Sequence, residues 1–265
     1  MPEVLDEAPS KEPEAMPTMG FLDHLEELRQ RIIYSVAAVA VGFFACWWKV
    51  ERIYDVMQRP IMDALKANGM TEKLVYLNPT EPFNLYLKVA ALAGLFLTSP
   101  FVLYQVWMFI SPGLYRNEKR YVVPFMVSTI TLFTAGGYFG YKIVYPAALN
   151  FLISFGKQFQ PMITIKEYTE LFLSIILGMG LIFEMPILVF FLSLMGIVSA
   201  GWMWRNFRYS ILIIFIIAAI VTPTTDILNM CIFAAPMIAL YAVSIGVAWL
   251  VHPKQRQARK ERQAQ

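Results

Sequence analysis

"FLDHLEELRQRIIYSVAAVAVGFFACWW", residues 21–48, sets a charged segment directly before an apolar run. The first part, residues 21–31, holds three acids, two arginines and a histidine, whereas residues 32–48 carry no charge. A helix needs about 20 mainly apolar residues to cross the hydrocarbon core of a bilayer. The stretch therefore predicts a membrane-spanning helix that follows a charged segment at the membrane surface.

The composition extends this prediction to the whole chain. Of the 265 residues, 58% are hydrophobic and only 15% are charged, and the mean hydropathy is +0.54. Soluble domains rarely reach such values, so the sequence predicts an all-α polytopic membrane protein. Prolines within or near the apolar runs predict a bent, concave bundle of six helices. The predicted spans cover about residues 32–48, 83–110, 121–145, 169–195, 207–222 and 229–251.

The lysine and arginine residues predict the orientation of these spans. Six spans place both termini on one side of the membrane. Twelve lysines and arginines flank the spans on that side, against eight in the opposite loops. Because positive residues concentrate on the cytoplasmic side, we predict an N-in, C-in topology. All six tryptophans lie near span ends, which is the preferred depth of indole rings.

The ends of the chain differ from the predicted transmembrane domain, residues 19–252. Residues 1–18 are acidic and proline-rich, which predicts a disordered tail rather than a signal peptide. Residues 253–265 form a basic tail that we expect in the cytoplasm. The net charge of +3 lies mainly in this tail, so no nucleic-acid partner is indicated, and the bilayer is the expected surroundings.

Signatures of catalysis are missing from the sequence. There is no Walker A loop, no G-x-S-x-G and no H-E-x-x-H, and the two histidines lie at opposite ends of the chain. We therefore expect neither an enzyme nor a bound metal or cofactor.

Local motifs predict several structural details. Thr164 with Glu167 three residues later fits a capping box at the start of the fourth span. The small residues of Gly136-x-x-x-Gly140 predict a close contact between helices. Pro60 and the Asn68-Gly69 pair bracket a short predicted helix in the loop after the first span.

The opening segment and the connection after the second span each contain an acid close to basic residues. Glu27 and Arg31 stand four residues apart and neutralise each other in a helix, and Arg29 fits a topology anchor. Glu118 is surrounded by basic residues in "SPGLYRNEKRY", which is typical of a solvated turn. Both acids are structural features or ligand-binding groups on this pattern alone.

Glu184, in "LIFEMPIL", is the polar residue that is hardest to explain as a solvated charge without a function. It lies deep in the fourth predicted span, where a carboxylate is costly and often functional. The alternative is a structural carboxylate that faces the bundle interior and bonds a neighbour such as Gln105 or Tyr104. Lys88, about six residues into the second span, reaches the membrane surface by snorkelling.

Several segments together resemble the TatC family, the multispanning core of the twin-arginine protein translocase. They are "FLDHLEELRQR", "PFNLYLK", "SPFVLYQVWMFISPGLYRNEKRYVVP", "FEMPI", "TPTTD" and "APM". The resemblance runs from about residue 21 to residue 249, and the long third segment makes it highly specific. It implies a cupped six-helix bundle in the bacterial cytoplasmic (inner) membrane.

The resemblance also implies roles for individual residues. Family members recognise signal peptides with two adjacent arginines on folded substrates, and export is driven by the proton gradient. By motif position, the recognition acids correspond to Glu27 and Glu118, with basic positions at Arg29 and Arg31. Glu184 corresponds to the intramembrane acid and Asp226 to the acid of the last outer loop. Single-span partners of the TatA and TatB type, and several copies of this chain in one receptor complex, are implied as well.

Two other classes of function are compatible with parts of the sequence. An ion-coupled small-solute transporter would use Glu184 as a proton relay, with Lys88 or Asp226 along the path. No internal repeat of the kind found in many transporters is visible. A membrane scaffold that only binds helices is the third class.

Overall fold

The computed structural model describes residues 21–69, 74–110, 122–156, 162–221 and 227–263, and these are almost entirely helical. The prediction of an all-α polytopic membrane protein is confirmed. A π-helical turn, Gly140–Val144, joins the helix that ends at Phe139 to the one that begins at Tyr145. The helices are α1 (Phe21–Trp47), α2 (Val50–Ala67), α3 (Glu81–Ile110), α4 (Val122–Phe139), α5 (Tyr145–Phe155), α6 (Ile165–Phe183), α7 (Met185–Leu194), α8 (Ala200–Arg205), α9 (Phe207–Val221) and α10 (Ile227–Gln263).

Helix length and composition separate the membrane-spanning candidates from the other helices. Among the described residues, four segments are long and apolar enough to cross a bilayer: His24–Trp47, Glu81–Phe109, Ile165–Leu194 and Met230–Leu250. Helix α9 has only 15 residues, which corresponds to about 22 Å of helix. That length is less than the roughly 30 Å of a hydrocarbon core, so α9 matches a thinner bilayer or draws polar groups inward.

Helices α1 and α3 pack against each other along most of their lengths. At their closest approach, a Cβ atom on Gly42 would lie 2.6 Å from the Thr98 Cγ2 atom. A Cβ atom on Gly94 would lie 2.6 Å from the backbone nitrogen of Phe43. The two backbones are therefore in contact, which fixes the position of the charged start of α1 relative to the end of α3.

The Gly136-x-x-x-Gly140 motif forms the predicted close contact between helices. It faces α6, where a Cβ atom on Gly140 would lie 3.2 Å from the Cβ atom of Met179. Gly136 approaches the Met179 carbonyl oxygen even more closely. Small residues here bring α4 and α6 together, and the prediction is confirmed.

Helix α2 corrects the helix start that we predicted at Pro60. The helix begins at Val50, and Pro60 lies inside it. Because proline has no backbone N–H, it cannot donate to the carbonyl oxygen of Val56, four residues earlier. The Tyr141 hydroxyl donates to that oxygen instead, at 2.7 Å. The helix ends before Gly69, which has a φ of +69°.

The loops that precede α3 and α6 are joined by backbone hydrogen bonds. The Val75 amide donates to the Ile163 carbonyl at 3.0 Å, and the Ile165 amide donates to the Val75 carbonyl at 2.9 Å. Helix α6 starts immediately afterwards, where the Thr164 hydroxyl accepts from the Glu167 amide at 3.3 Å. The predicted cap at Thr164 is confirmed.

Candidate functional site

Glu27 lies near the start of α1, and its side chain is only 18% exposed. Arg31, one helical turn later, donates from Nη2 to the Glu27 Oε1 atom at 3.0 Å. The ion pair expected from the four-residue spacing is therefore present. The second carboxylate oxygen, Oε2, is buried and has no hydrogen-bond partner among the described residues. Glu27 thus keeps an acceptor that the described part of the chain does not satisfy.

Gln105 explains why Arg31 leaves that oxygen unpaired. Arginine can hold a carboxylate with two parallel hydrogen bonds. In this structure the Arg31 Nη1 atom instead donates to the Gln105 Oε1 atom at 2.9 Å. Gln105 is 5% exposed and belongs to α3. The structure therefore brings Gln105 to Arg31, whereas the structural alternative for Glu184 named Gln105 or Tyr104 as its neighbour.

The start of α1 has a second attachment to the end of α3. The His24 ring stacks on the Phe109 ring, with a centroid distance of 4.4 Å and an interplanar angle of 14°. Together with the contact between Arg31 and Gln105, this stacking holds the first turns of α1 in place. Arg29 lies on the same turns with its side chain exposed.

Two predicted site residues, Glu118 and Asp226, lie outside the described residues. Glu118 belongs to the connection between α3 and α4. Because Phe109 stacks on His24, the end of α3 lies beside the end of α1 that carries Glu27. The pairing of Glu27 with Glu118 stays a prediction.

Glu184 lies at the break between α6 and α7, where Pro186 occupies the first turn of α7. The Thr129 hydroxyl of α4 lies beside its carboxylate. Thr129 in turn accepts a hydrogen bond from the Trp107 indole nitrogen at 3.1 Å. The Oε1 atom of Glu184 is buried, and among the described residues it has neither a hydrogen-bond partner nor a cation that forms an ion pair with it. The carboxylate is therefore less compensated than that of Glu27.

Aromatic rings surround the Trp107 end of this arrangement. The ring centroid of Trp107 lies 4.0 Å from that of Phe191 and 5.8 Å from that of Phe125. These rings exclude water from the hydrogen bond between Trp107 and Thr129, which strengthens it. Gln105 and Trp107 are two residues apart on α3, so one short segment contacts both acidic sites.

Lys88 has a partner that the sequence did not reveal. Its Nζ atom lies 3.5 Å from the Glu170 Oε1 atom, and the two side chains are 40% and 45% exposed. Glu170 follows 82 residues later, so no local spacing pointed to the pair. Sequence reasoning also missed Thr129 and Trp107, whose only signal was a polar group within an apolar run.

Comparison with known proteins identifies the relatives of this chain. Residues 23–236 match the family described as Sec-independent protein translocase protein (TatC). The protein of that name from Koribacter versatilis (strain Ellin345) is 70% identical over 250 residues, which cover 94% of this chain and 92% of the relative. The one from Aquifex aeolicus (strain VF5) is 34% identical over 245 residues, covering 91% and 100%.

A solved structure has the same fold. The crystal structure of a twin arginine translocase receptor, TatC, superposes with a TM-score of 0.77 and 32% sequence identity, covering 86% of this chain and 99% of that chain. Fold and relatives define the class as a polytopic membrane component of a protein-transport system. The chain belongs to the TatC family. This membership supports the translocase interpretation and does not support the small-solute transporter.

Proposed function

We propose that this protein is the core receptor of a twin-arginine translocase. It binds signal peptides with paired arginines on folded proteins and starts their export, which the proton gradient drives. The protein lies in the bacterial cytoplasmic membrane with both termini in the cytoplasm. Single-span proteins of the TatA and TatB type bind beside it, and several copies of the chain assemble in the receptor complex.

The unpaired oxygen of Glu27 is the observation that carries this proposal. A buried acceptor without a donor costs about 1–3 kcal/mol, which an incoming N–H group recovers. Arg31 is held by Gln105 and cannot close over that oxygen without losing a bond. The site therefore favours an additional donor that arrives from outside the chain.

The choice of arginine over lysine follows from the shape of the two side chains. A guanidinium presents a planar fork of donors, whereas an ammonium acts as a point charge. In the proposal, one arginine of the signal peptide binds Glu27 and the adjacent one binds Glu118. A single exposed ion pair contributes at most about 1 kcal/mol, so the buried position of Glu27 matters for selectivity.

Peptide binding tests the proposal directly. Detergent-solubilised protein is passed over immobilised signal peptides with an Arg-Arg or a Lys-Lys pair. We expect Glu27→Gln and Glu118→Gln each to weaken the Arg-Arg interaction by about 10- to 150-fold, because a charge-assisted hydrogen bond contributes about 1.5–3 kcal/mol. Glu26→Gln is the matched control, since Glu26 is exposed on the same turn.

The double variant Glu27→Gln/Glu118→Gln decides the outcome. A loss of the preference for Arg-Arg over Lys-Lys, with an unchanged Glu26→Gln control, supports the receptor function. An undiminished preference in the double variant ends the proposal that these acids read the arginines.

A further inference from the structure

A groove with mainly apolar walls lies between α2 and the helices α1, α3, α4 and α6. Its volume is about 700 Å³, which falls within the usual range of ligand pockets, about 300–1,000 Å³. Leu92, Phe96 and Phe172 are among the residues that line it. Lys49 and Arg52 belong to the same lining, so an apolar space meets two cations.

A more polar groove of about 640 Å³ adjoins this apolar groove. Val56 and Tyr141 line both grooves, so the two grooves are adjacent. The polar groove contributes Arg59, Lys142 and a single acid, Asp63. Together the two grooves form an apolar part and a part with an excess of positive charge.

The register of α2 places its groove residues on one face. Arg52, Val56, Arg59 and Asp63 follow one another at spacings of four, three and four residues, the repeat of one helix face. Neither arginine forms an ion pair within the described part of the chain, and the same holds for Lys49. These charges are exposed and unmatched.

The cationic end of the groove lies beyond the end of α1, whereas Glu27 lies near its start. Lys49 follows Glu27 by 22 residues, which is about 33 Å along a helix and close to the thickness of the hydrocarbon core. The groove walls include Leu97 and Tyr138, which are 60% and 64% exposed. The groove is therefore open sideways toward the bilayer.

We propose that this groove binds an anionic phospholipid. An acyl chain fills the apolar part, and the headgroup phosphate lies along Arg52 and Arg59, because basic pockets between membrane helices attract anionic headgroups. Two turns of a transmembrane helix, about 10 Å wide with its side chains and about 11 Å long, occupy about 850 Å³ and exceed the volume of the apolar groove. A soluble anion would leave the apolar walls without a partner. The proposal does not depend on signal-peptide recognition.

Lipid titration tests the proposal on the full chain in detergent. Native mass spectrometry measures the binding of phosphatidylglycerol and of zwitterionic phosphatidylcholine with matched acyl chains. We expect the wild type to prefer phosphatidylglycerol. Each cation removed near the headgroup reduces anionic-lipid binding about fivefold, so Arg52→Gln/Arg59→Gln loses roughly 25-fold while phosphatidylcholine binding stays constant.

Two further variants separate the groove from the rest of the surface. Lys66→Gln is the charge control, because Lys66 is an exposed cation of α2 outside both grooves. Ala93→Leu narrows the apolar part and is expected to weaken both lipids alike. Thermal unfolding without added lipid checks that each variant is folded. Equal binding of the two lipids by the wild type, or equal effects of Lys66→Gln and Arg52→Gln/Arg59→Gln, overturns the proposal.

Discussion

Glu27 and Glu184 are both carboxylates in apolar surroundings, but the protein compensates them differently. Glu27 lies near the end of a helix and is paired with Arg31 on the next turn. Glu184 lies at a helix break inside a membrane-spanning segment, with the Thr129 hydroxyl beside it and no described cation. Each has one buried oxygen without a hydrogen-bond partner in the part of the chain that the structure describes.

The difference indicates what each acid requires from outside the chain. Glu27 is already neutralised, so an additional guanidinium adds a hydrogen bond without being needed for folding. Glu184 has no such neutralisation, and an uncompensated carboxylate is costly in a bilayer. Water, a proton or a polar group of a partner helix is therefore needed at Glu184, whereas Glu27 is prepared to discriminate among ligands.

Removal of Arg31 is expected to have the largest effect on stability. Arg31→Gln leaves Glu27 mostly buried without its cation, which should cost about 2 kcal/mol, between the values for exposed and buried pairs. The double variant Glu27→Gln/Arg31→Gln should be less destabilised, because no charge is then left alone. Thermal unfolding in detergent measures both, with exposed Arg29→Gln as control. Equal losses in the single and double variants would show that the pair is not what stabilises this end of α1.

Removal of the Thr129 hydroxyl tests the surroundings of Glu184. Thr129→Val leaves the buried Trp107 N–H group without its acceptor, which should cost about 1–2 kcal/mol. Thr131→Val is the matched control, because the Thr131 hydroxyl is exposed and bonds only to the carbonyl of Val127 in its own helix. Thermal unfolding compares the two variants. The hydrogen bond to Trp107 has no stabilising role if both variants unfold at the same temperature.

Neutralisation of Glu184 should change stability less than either of these variants. Glu184→Gln removes a carboxylate that has no described cation, so the unfolding free energy should stay within about 1 kcal/mol of the wild type or rise. Glu184→Gln and Arg31→Gln are compared by thermal unfolding in the same detergent. A loss as large as that of Arg31→Gln would mean that a hidden cation compensates Glu184, which would remove the contrast with Glu27.

The sequence predicted those features that depend on one helix or one turn. The pair of Glu27 and Arg31 follows from the four-residue period of a helix. The cap at Thr164 and the glycine contact at Gly136 and Gly140 are equally local, because each requires only a residue type at a fixed spacing. The sequence therefore predicted the fold class and the ion pair of Glu27 with Arg31, but not the contact of Arg31 with Gln105.

The sequence did not predict the contacts between distant segments. Gln105 is 74 residues from Arg31. Its position in an apolar run was equally compatible with a bond to Glu184. Which side chain it meets depends on the register of α1 against α3, which the contact between Gly42 and Gly94 determines. The early start of α2 was missed because Pro60 resembles a helix start, and the sequence does not reveal that the distant Tyr141 hydroxyl donates to the Val56 carbonyl that Pro60 leaves without its helical donor.

The exposed ion pair of Lys88 and Glu170 should have the smallest effect on stability of the carboxylates and their partners. Their side chains are about twice as exposed as those of Glu27 and Arg31, and their charged atoms are 3.5 Å apart. Lys88→Gln and Glu170→Gln should each lower the unfolding free energy by no more than about 0.5 kcal/mol, and less at high salt, because water and ions screen exposed charges. Thermal unfolding at low and high salt measures both variants. A loss as large as that of Arg31→Gln would mean that exposure does not decide the strength of ion pairs in this protein, and the difference between Glu27 and Glu184 would then need another cause.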